Sequence, residues 1–375
     1  MKKMIVSLLF VIFLLNPAVF AQDFPVRETL ESYVKSGDLP GMVTIIATQD
    51  KILQVDTLGF SNIEKQTPMS ESTVFWIASQ SKPVTAVAVM ILVDEGKLFL
   101  TEPVTTYLPE LGELRVIAEQ DDEHTLLVPL ERPITLEHLL SHTSGMVWAP
   151  PLQLKFGIDV LPLSKSLMTC AMTPLQSQPG TKYSYSNMGI NMAATVVERV
   201  SGMPFEAFLE KRIFEPLGMK ETTFYPTAEQ LERQALVYRF DKEQGKLVAT
   251  PNRELTYPLD DKKIRFPEAA GGLFSTPREL VRFYQMLQGN GVYDGKRILS
   301  EEAVREIRKR HPDGLEINYG LGVVTNGKVF GHGGACGTDS MVNTNNGRVI
   351  LYFIQEEGLA KAGEAREAFF RIANQ

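Results

Sequence analysis

Strand-forming sequence is concentrated at the two ends of this chain, and that distribution restricts the folds open to it. Residues 42–47 and 52–58 read as strands parted by the polar turn Gln49-Asp50-Lys51. At the far end, residues 319–325, 329–332, 339–343 and 349–355 read as short strands divided by Asn326-Gly327 and Asn345-Asn346-Gly347, both typical turn sequences. Helices border these groups: residues 25–36 place Val26, Leu30 and Tyr33 on one stripe, and residues 360–374 form a closing helix. The intervening chain is mostly helical. The simplest arrangement is an α+β fold in which residues 22–78 and 295–375 build one α/β lobe and residues 79–294 an inserted helical lobe, with a cleft between them. Residues 114–118 and 125–130, around the acidic tip Asp121-Asp122-Glu123, read as a hairpin excursion within the helical lobe.

Residues 1–21 have the parts of a secretory signal: Lys2 and Lys3, an apolar run, and a small-residue end at Ala21. The mature chain is expected to occupy residues 22–375, to be exported to a periplasmic or extracellular space, and to keep no stable membrane anchor. Without the signal the chain carries 36 Lys and Arg against 45 Asp and Glu, an acidic balance that argues against a nucleic-acid partner. Oligomeric state is not legible. The two cysteines, Cys170 and Cys336, allow one disulfide but no disulfide framework, and a nucleophilic thiol at Cys336 is the lesser reading beside buried packing.

Three clusters carry chemistry. The run from Ser79 to Asp94 is apolar nearly all round, so it reads as a buried helix, and Pro83 requires that helix to begin close to Ser79. Unpaired N–H groups and the helix dipole there favour an alkoxide. Lys82 lies one turn on from Ser79, and burial would lower its proton affinity until a neutral amine accepts the serine proton. Ser32 and Lys35 repeat the S-x-x-K spacing, but on a surface helix. The second cluster is Tyr185-Ser186-Asn187, in a polar loop ahead of a helical segment. Beside a lysine cation the Tyr185 phenolate is favoured, so Tyr185 and Lys82 are expected to share a proton, while Asn187 suits contacts to Lys82 and to a substrate amide. The third is His332-Gly333-Gly334-Ala335, where small residues let a substrate lie along the backbone and an N–H joins that of Ser79 as an oxyanion hole.

Together these clusters resemble the serine beta-lactamase and penicillin-binding protein family, with its S-x-x-K, second polar motif and third motif on a strand. The segments Leu139-Leu140-Ser141-His142-Thr143-Ser144-Gly145 and Ala270-Gly271-Gly272-Leu273-Phe274-Ser275-Thr276 look like two more shared with its class C-like branch. The resemblance implies a five-stranded antiparallel sheet flanked by helices with an inserted helical lobe. It also implies that Ser79 is acylated, that Lys82 and Tyr185 exchange protons, that Asn187 orients substrate, and that Ala335 supplies the second oxyanion donor. In the third motif His332 stands for lysine and Gly333 for threonine, which removes a fixed cation and a hydroxyl. Such versions look more like D-alanyl-D-alanine carboxypeptidases, D-amino-acid amidases and esterases of the same fold. The expected function is therefore a serine hydrolase acting on a small ester, amide or peptide through an acyl-enzyme. A beta-lactamase and a non-catalytic binder of penicillin or cell-wall peptide are the alternatives.

The sequence calls for no cofactor and no metal. There is no G-x-S-x-G elbow, and His138 and His142, four apart, lack the intervening Glu of a zinc protease helix.

Overall fold

The structure, a computed structural model, describes residues 24–312, 314–358 and 360–375. The expected leader at residues 1–21 lies outside the described residues. The sequence-distant strands do meet in one sheet. Gly41–Ala47 is central, with Ile52–Asn62 on one side and Arg348–Phe353 on the other, so that Val43 lies opposite Phe353 and Ala47 opposite Val349. Asp339–Asn343 and Val329–Gly333 continue the sheet beyond Arg348–Phe353, setting His332 opposite Ser340. Every pairing in it is antiparallel.

The sheet has seven strands where five were expected. The two additions, Thr67–Pro68 and Val324–Thr325, are two-residue edge strands. A full strand over residues 319–325 does not form. Gly322 adopts φ +68° to lay its N–H on Leu140 O, and Gly320 packs against Ile307 O where a Cβ would have no room. The chain is thereby turned, and Tyr319 is buried.

Period-two alternation explains why both faces of the central strands are apolar. Met42, Ile46, Ile350 and Tyr352 face one layer with Val26, Leu30, Ala365 and Phe369 of the terminal helices Val26–Lys35 and Ala360–Ala373. Val43, Ile45, Val349, Leu351 and Phe353 face the opposite layer, which contains Pro277–Gln288 and Ser81–Asp94. Helix Ser81–Asp94 is buried from Ser81 to Leu92, as its all-round apolar sequence requires. Each of Val84, Val87, Val89, Ile91 and Leu92, all nearly inaccessible to water, stabilises the fold by about 1.5–3 kcal/mol at most.

Thr135, Thr276 and Ser300 cap helices, accepting from the N–H of His138, Glu279 and Ala303. At Thr276 the capping arrangement is one-sided: the Glu279 carboxylate is taken by the Glu221 N–H and the Thr222 hydroxyl. The acidic excursion is a two-stranded hairpin, Arg115–Gln120 with Thr125–Pro129. No described helix is long and apolar enough to cross a membrane.

Candidate active site

Ser79 lies in the 3-10 turn Ala78–Gln80 that leads directly into helix Ser81–Asp94. Two side chains converge on its oxygen: Lys82 Nζ at 3.0 Å and Tyr185 Oη at 2.9 Å. Lys82 also donates to Ala270 O at 2.8 Å, and its Nζ stands 4.6 Å from the Tyr185 ring centroid. The first two clusters, 106 residues apart in sequence, are thus one site.

Burial decides the charges here. Lys82 is wholly inaccessible, and desolvation holds its proton affinity down to about 7, against the opposing pull of the Glu268 and Glu254 carboxylates. Glu268 is pushed upward by the same burial. Its Oε1 accepts from Asn191 Nδ2 at 2.9 Å, whereas its Oε2 has no hydrogen-bond partner among the described residues. Tyr185 corrects the expectation of a favoured phenolate. Desolvation raises it well above the ordinary phenol range, more than the Ser79 hydrogen bond lowers it, so the resting side chain is a neutral donor.

Asn187 departs from its expected place too. It is the first residue of helix Asn187–Ser201, capped by Ser186, and it is buried. No hydrogen bond joins it to Lys82 among the described residues, and its Oδ1 is left without a partner.

The third cluster closes the opposite wall. His332 and Gly333 end strand Val329–Gly333, and Ala335 begins the turn Ala335–Gly337. This strand packs on the Ser79 turn. Gly334 is extended, at φ −116° and ψ 154°, so what requires glycine is space: an added Cβ would fall closer than 3.0 Å to Ile77 O and Thr338 Oγ1. Thr338 Oγ1 in turn donates to Ile77 O at 3.3 Å, tying the two walls together. Three non-glycine residues around the cleft adopt left-handed backbone: Ala78 at φ +47°, His142 at +60° and Cys336 at +63°. Each costs on the order of 1–2 kcal/mol, and such strain collects at functional sites.

His138 and His142 have separate partners. His138 completes the cap of its own helix, and the buried His142 stacks in an aromatic group with Tyr185, Tyr319, His332 and the more exposed Tyr183. Cys170 and Cys336 are both free, and burial pushes each thiol up to about 12, which leaves them unreactive. A cavity of about 880 Å³ between Glu198, Phe224 and Lys262 touches none of the three clusters.

Sequence reasoning missed Tyr319 and Glu268. Glu268, an acid immediately before the small and apolar run Ala269-Ala270-Gly271-Gly272-Leu273-Phe274, left a readable signal, because a charge in such a run is buried for a reason. Tyr319 left only an aromatic beside the turn-forming Gly320-Leu321-Gly322.

The Beta-lactamase family model matches residues 26–374. Protein Rv1367c of Mycobacterium tuberculosis is 34% identical over 362 residues, covering 88% of this chain and 89% of that protein. Esterase EstB of Burkholderia gladioli is 32% identical over 240 residues, 60% of this chain and 58% of its own. Among solved structures, EstCE1, described as a hydrolase with promiscuous acyltransferase activity, superposes with a TM-score of 0.78 at 20% identity, over 93% of this chain and 97% of that one.

Proposed function

Since the chain belongs to the Beta-lactamase family, we propose that it is a serine acyl hydrolase whose substrate is a small ester, or an amide of the D-amino-acid peptide type. The observation that carries this is the meeting of Lys82 Nζ and Tyr185 Oη on Ser79 Oγ at 3.0 and 2.9 Å, with burial favouring the neutral amine and the neutral phenol.

These protonation states divide the work. Ser79 Oγ attacks the substrate carbonyl carbon while its proton passes to Lys82 Nζ. The resulting oxyanion lies between the N–H groups of Ser79 and Ala335. Collapse breaks the bond to the leaving group, which takes the Tyr185 proton, and Lys82 returns its own proton to Tyr185. Water then adds to the acyl-enzyme, gives a proton back through Tyr185 and Lys82, and Ser79 leaves as the hydroxyl. The buried, unpartnered Asn187 Oδ1 offers an acceptor to a substrate N–H. His332 and Gly333 provide neither the ammonium nor the hydroxyl of K-T-G, which favours uncharged acyl groups over the carboxylate of a penicillin.

Hydrolysis of p-nitrophenyl esters, nitrocefin and D-alanyl peptides by the protein and its Ser79→Ala variant tests this reading. Ester or peptide cleavage that disappears in Ser79→Ala supports it. Nitrocefin turnover exceeding both would transfer the assignment to a beta-lactamase. Labelling by a fluorescent penicillin with no turnover of any substrate would leave a binder of penicillin or cell-wall peptide.

A further inference from the structure

Behind Tyr185 runs a hydrogen-bonded chain whose direction is set at both ends by the backbone. Ser186 N–H can only donate, and it donates to His142 Nδ1 at 3.1 Å. His142 must then carry its proton on Nε2, which faces Tyr319 Oη at 3.0 Å. The Tyr319 hydroxyl, having accepted there, donates to His332 Nε2 at 2.8 Å. His332 is left with its proton on Nδ1, facing Gly333 O at 2.5 Å, an atom that can only accept. Every donor and acceptor along the chain is matched once, with both imidazoles neutral.

The surroundings oppose any charge on these rings. Desolvation, reinforced by Lys82 whenever that amine is protonated, holds His332 down to about 3 and His142 well below its ordinary range. Tyr185 and Tyr319, which also face His332, are both held neutral by burial. The neighbouring strand brings Ser340 opposite His332, and Asp339, one residue away, has its carboxylate taken by Arg366 at 2.9 Å. The chain also braces the cleft mechanically. The His142 ring lies 4.4 Å from that of Tyr185, centroid to centroid, and His142 and His332 belong to opposite walls.

The geometry points to Tyr319 as a positioning residue that locks His332 in the neutral Nδ1–H form and, through His142, keeps the Tyr185 hydroxyl on Ser79. The locked chain stands whether or not Ser79 is acylated, whereas Tyr319's influence on turnover rests on the proposed serine chemistry.

Nitrogen NMR of protein carrying ¹⁵N-histidine separates the two. It should show His332 as the Nδ1–H tautomer and His142 as Nε2–H, both unchanged from pH 8 to pH 5. A His332 resonance of the Nε2–H form, or one that protonates near the ordinary imidazole value in this range, overturns the lock. This measurement requires no variant. Tyr319→Phe keeps the ring and deletes the hydroxyl. It should release His332 into tautomer exchange and lower kcat for ester hydrolysis about tenfold, with KM moving far less, as expected for one unpaired buried group. A Tyr319→Phe protein with the parent's kcat refutes the positioning role, as does a loss confined to KM. Absence of esterase activity in the parent while the tautomers hold would refute the proposed function and leave the lock standing.

Discussion

Gly334→Ala is the sharpest test of how the two walls of the site are held. The φ and ψ of Gly334 suit any residue, so the substitution changes only occupied space. The new methyl would fall within 3.0 Å of both Ile77 O and Thr338 Oγ1, whereas carbon–oxygen contacts settle at about 3.3–3.6 Å. The wall bearing Ala335 must therefore back away from the Ile77–Ser79 wall by a substantial fraction of an ångström. An oxyanion donor moved out of range costs about 2.7–4 kcal/mol in the transition state, roughly a 10²–10³-fold loss in kcat. Overpacking costs a further ~1–3 kcal/mol of folding stability, which denaturant unfolding reads separately. Gly363→Ala is the matched control. It makes the same chemical change in helix Ala360–Ala373, where a Cβ meets nothing within 4 Å. Steady-state hydrolysis of a p-nitrophenyl ester should fall at least about a hundredfold in Gly334→Ala and stay within about threefold of the parent in Gly363→Ala. A Gly334→Ala protein that folds and keeps the parent rate would show that the third cluster holds no oxyanion donor.

The remaining predictions concern charge and burial. Because the working base is the neutral Lys82 amine, kcat/KM should rise with pH along a one-proton limb centred near 7, far below the ordinary ammonium range; a flat profile from pH 5.5 to 8.5 would exclude Lys82 as that base. Glu268→Gln removes a carboxylate that pulls Lys82 upward, so the same limb should move to lower pH, and movement to higher pH would contradict the coupling. Tyr185→Phe should lower kcat by about 10²–10⁴-fold while KM changes little, checked with an ester whose leaving group requires protonation. Away from the site, Asp159 and Arg265 form a fully buried ion pair at 2.5 Å, so Asp159→Ala should cost about 3–5 kcal/mol in denaturant unfolding, and a loss below 1 kcal/mol would mean the freed guanidinium finds water.

The separation between what could be read and what could not follows the range of the forces involved. Period-two runs and turn residues located the central strands, because each strand reports its own two faces locally. The same logic exposed helix Ser81–Asp94, where an apolar circumference and one proline fix both burial and starting point. The edge strands escaped because two-residue pairings such as Val324–Thr325 depend on a partner, not on their own pattern. At the site, the S-x-x-K spacing put Lys82 beside Ser79 and the motif order implied that Tyr185 joins them; the structure brings both side chains within 3.0 Å of the Ser79 oxygen. The Tyr185 phenol was misjudged because the nearby lysine was weighed and the depth of burial was not; desolvation outweighs the attraction and also strips Lys82 of the charge that would have caused it. Asn187 faced the same problem in reverse: its residue type suited several partners, and only the fold left its oxygen alone. The His142–Tyr319–His332 chain joins three distant segments, and no short-range signal announces such a contact.

The central pairing of Gly41–Ala47 with Arg348–Phe353 also governs how this molecule can be made. The first of these strands emerges roughly 300 residues before its neighbour, an interval of about 15–60 s at ordinary rates of synthesis. Throughout that wait one edge of a strand that is buried along its whole length in the finished fold has no companion, so a ribosome stalled short of residue 348 releases a fragment that seeks other chains. Truncation late in the gene should therefore give aggregates and not a smaller soluble product.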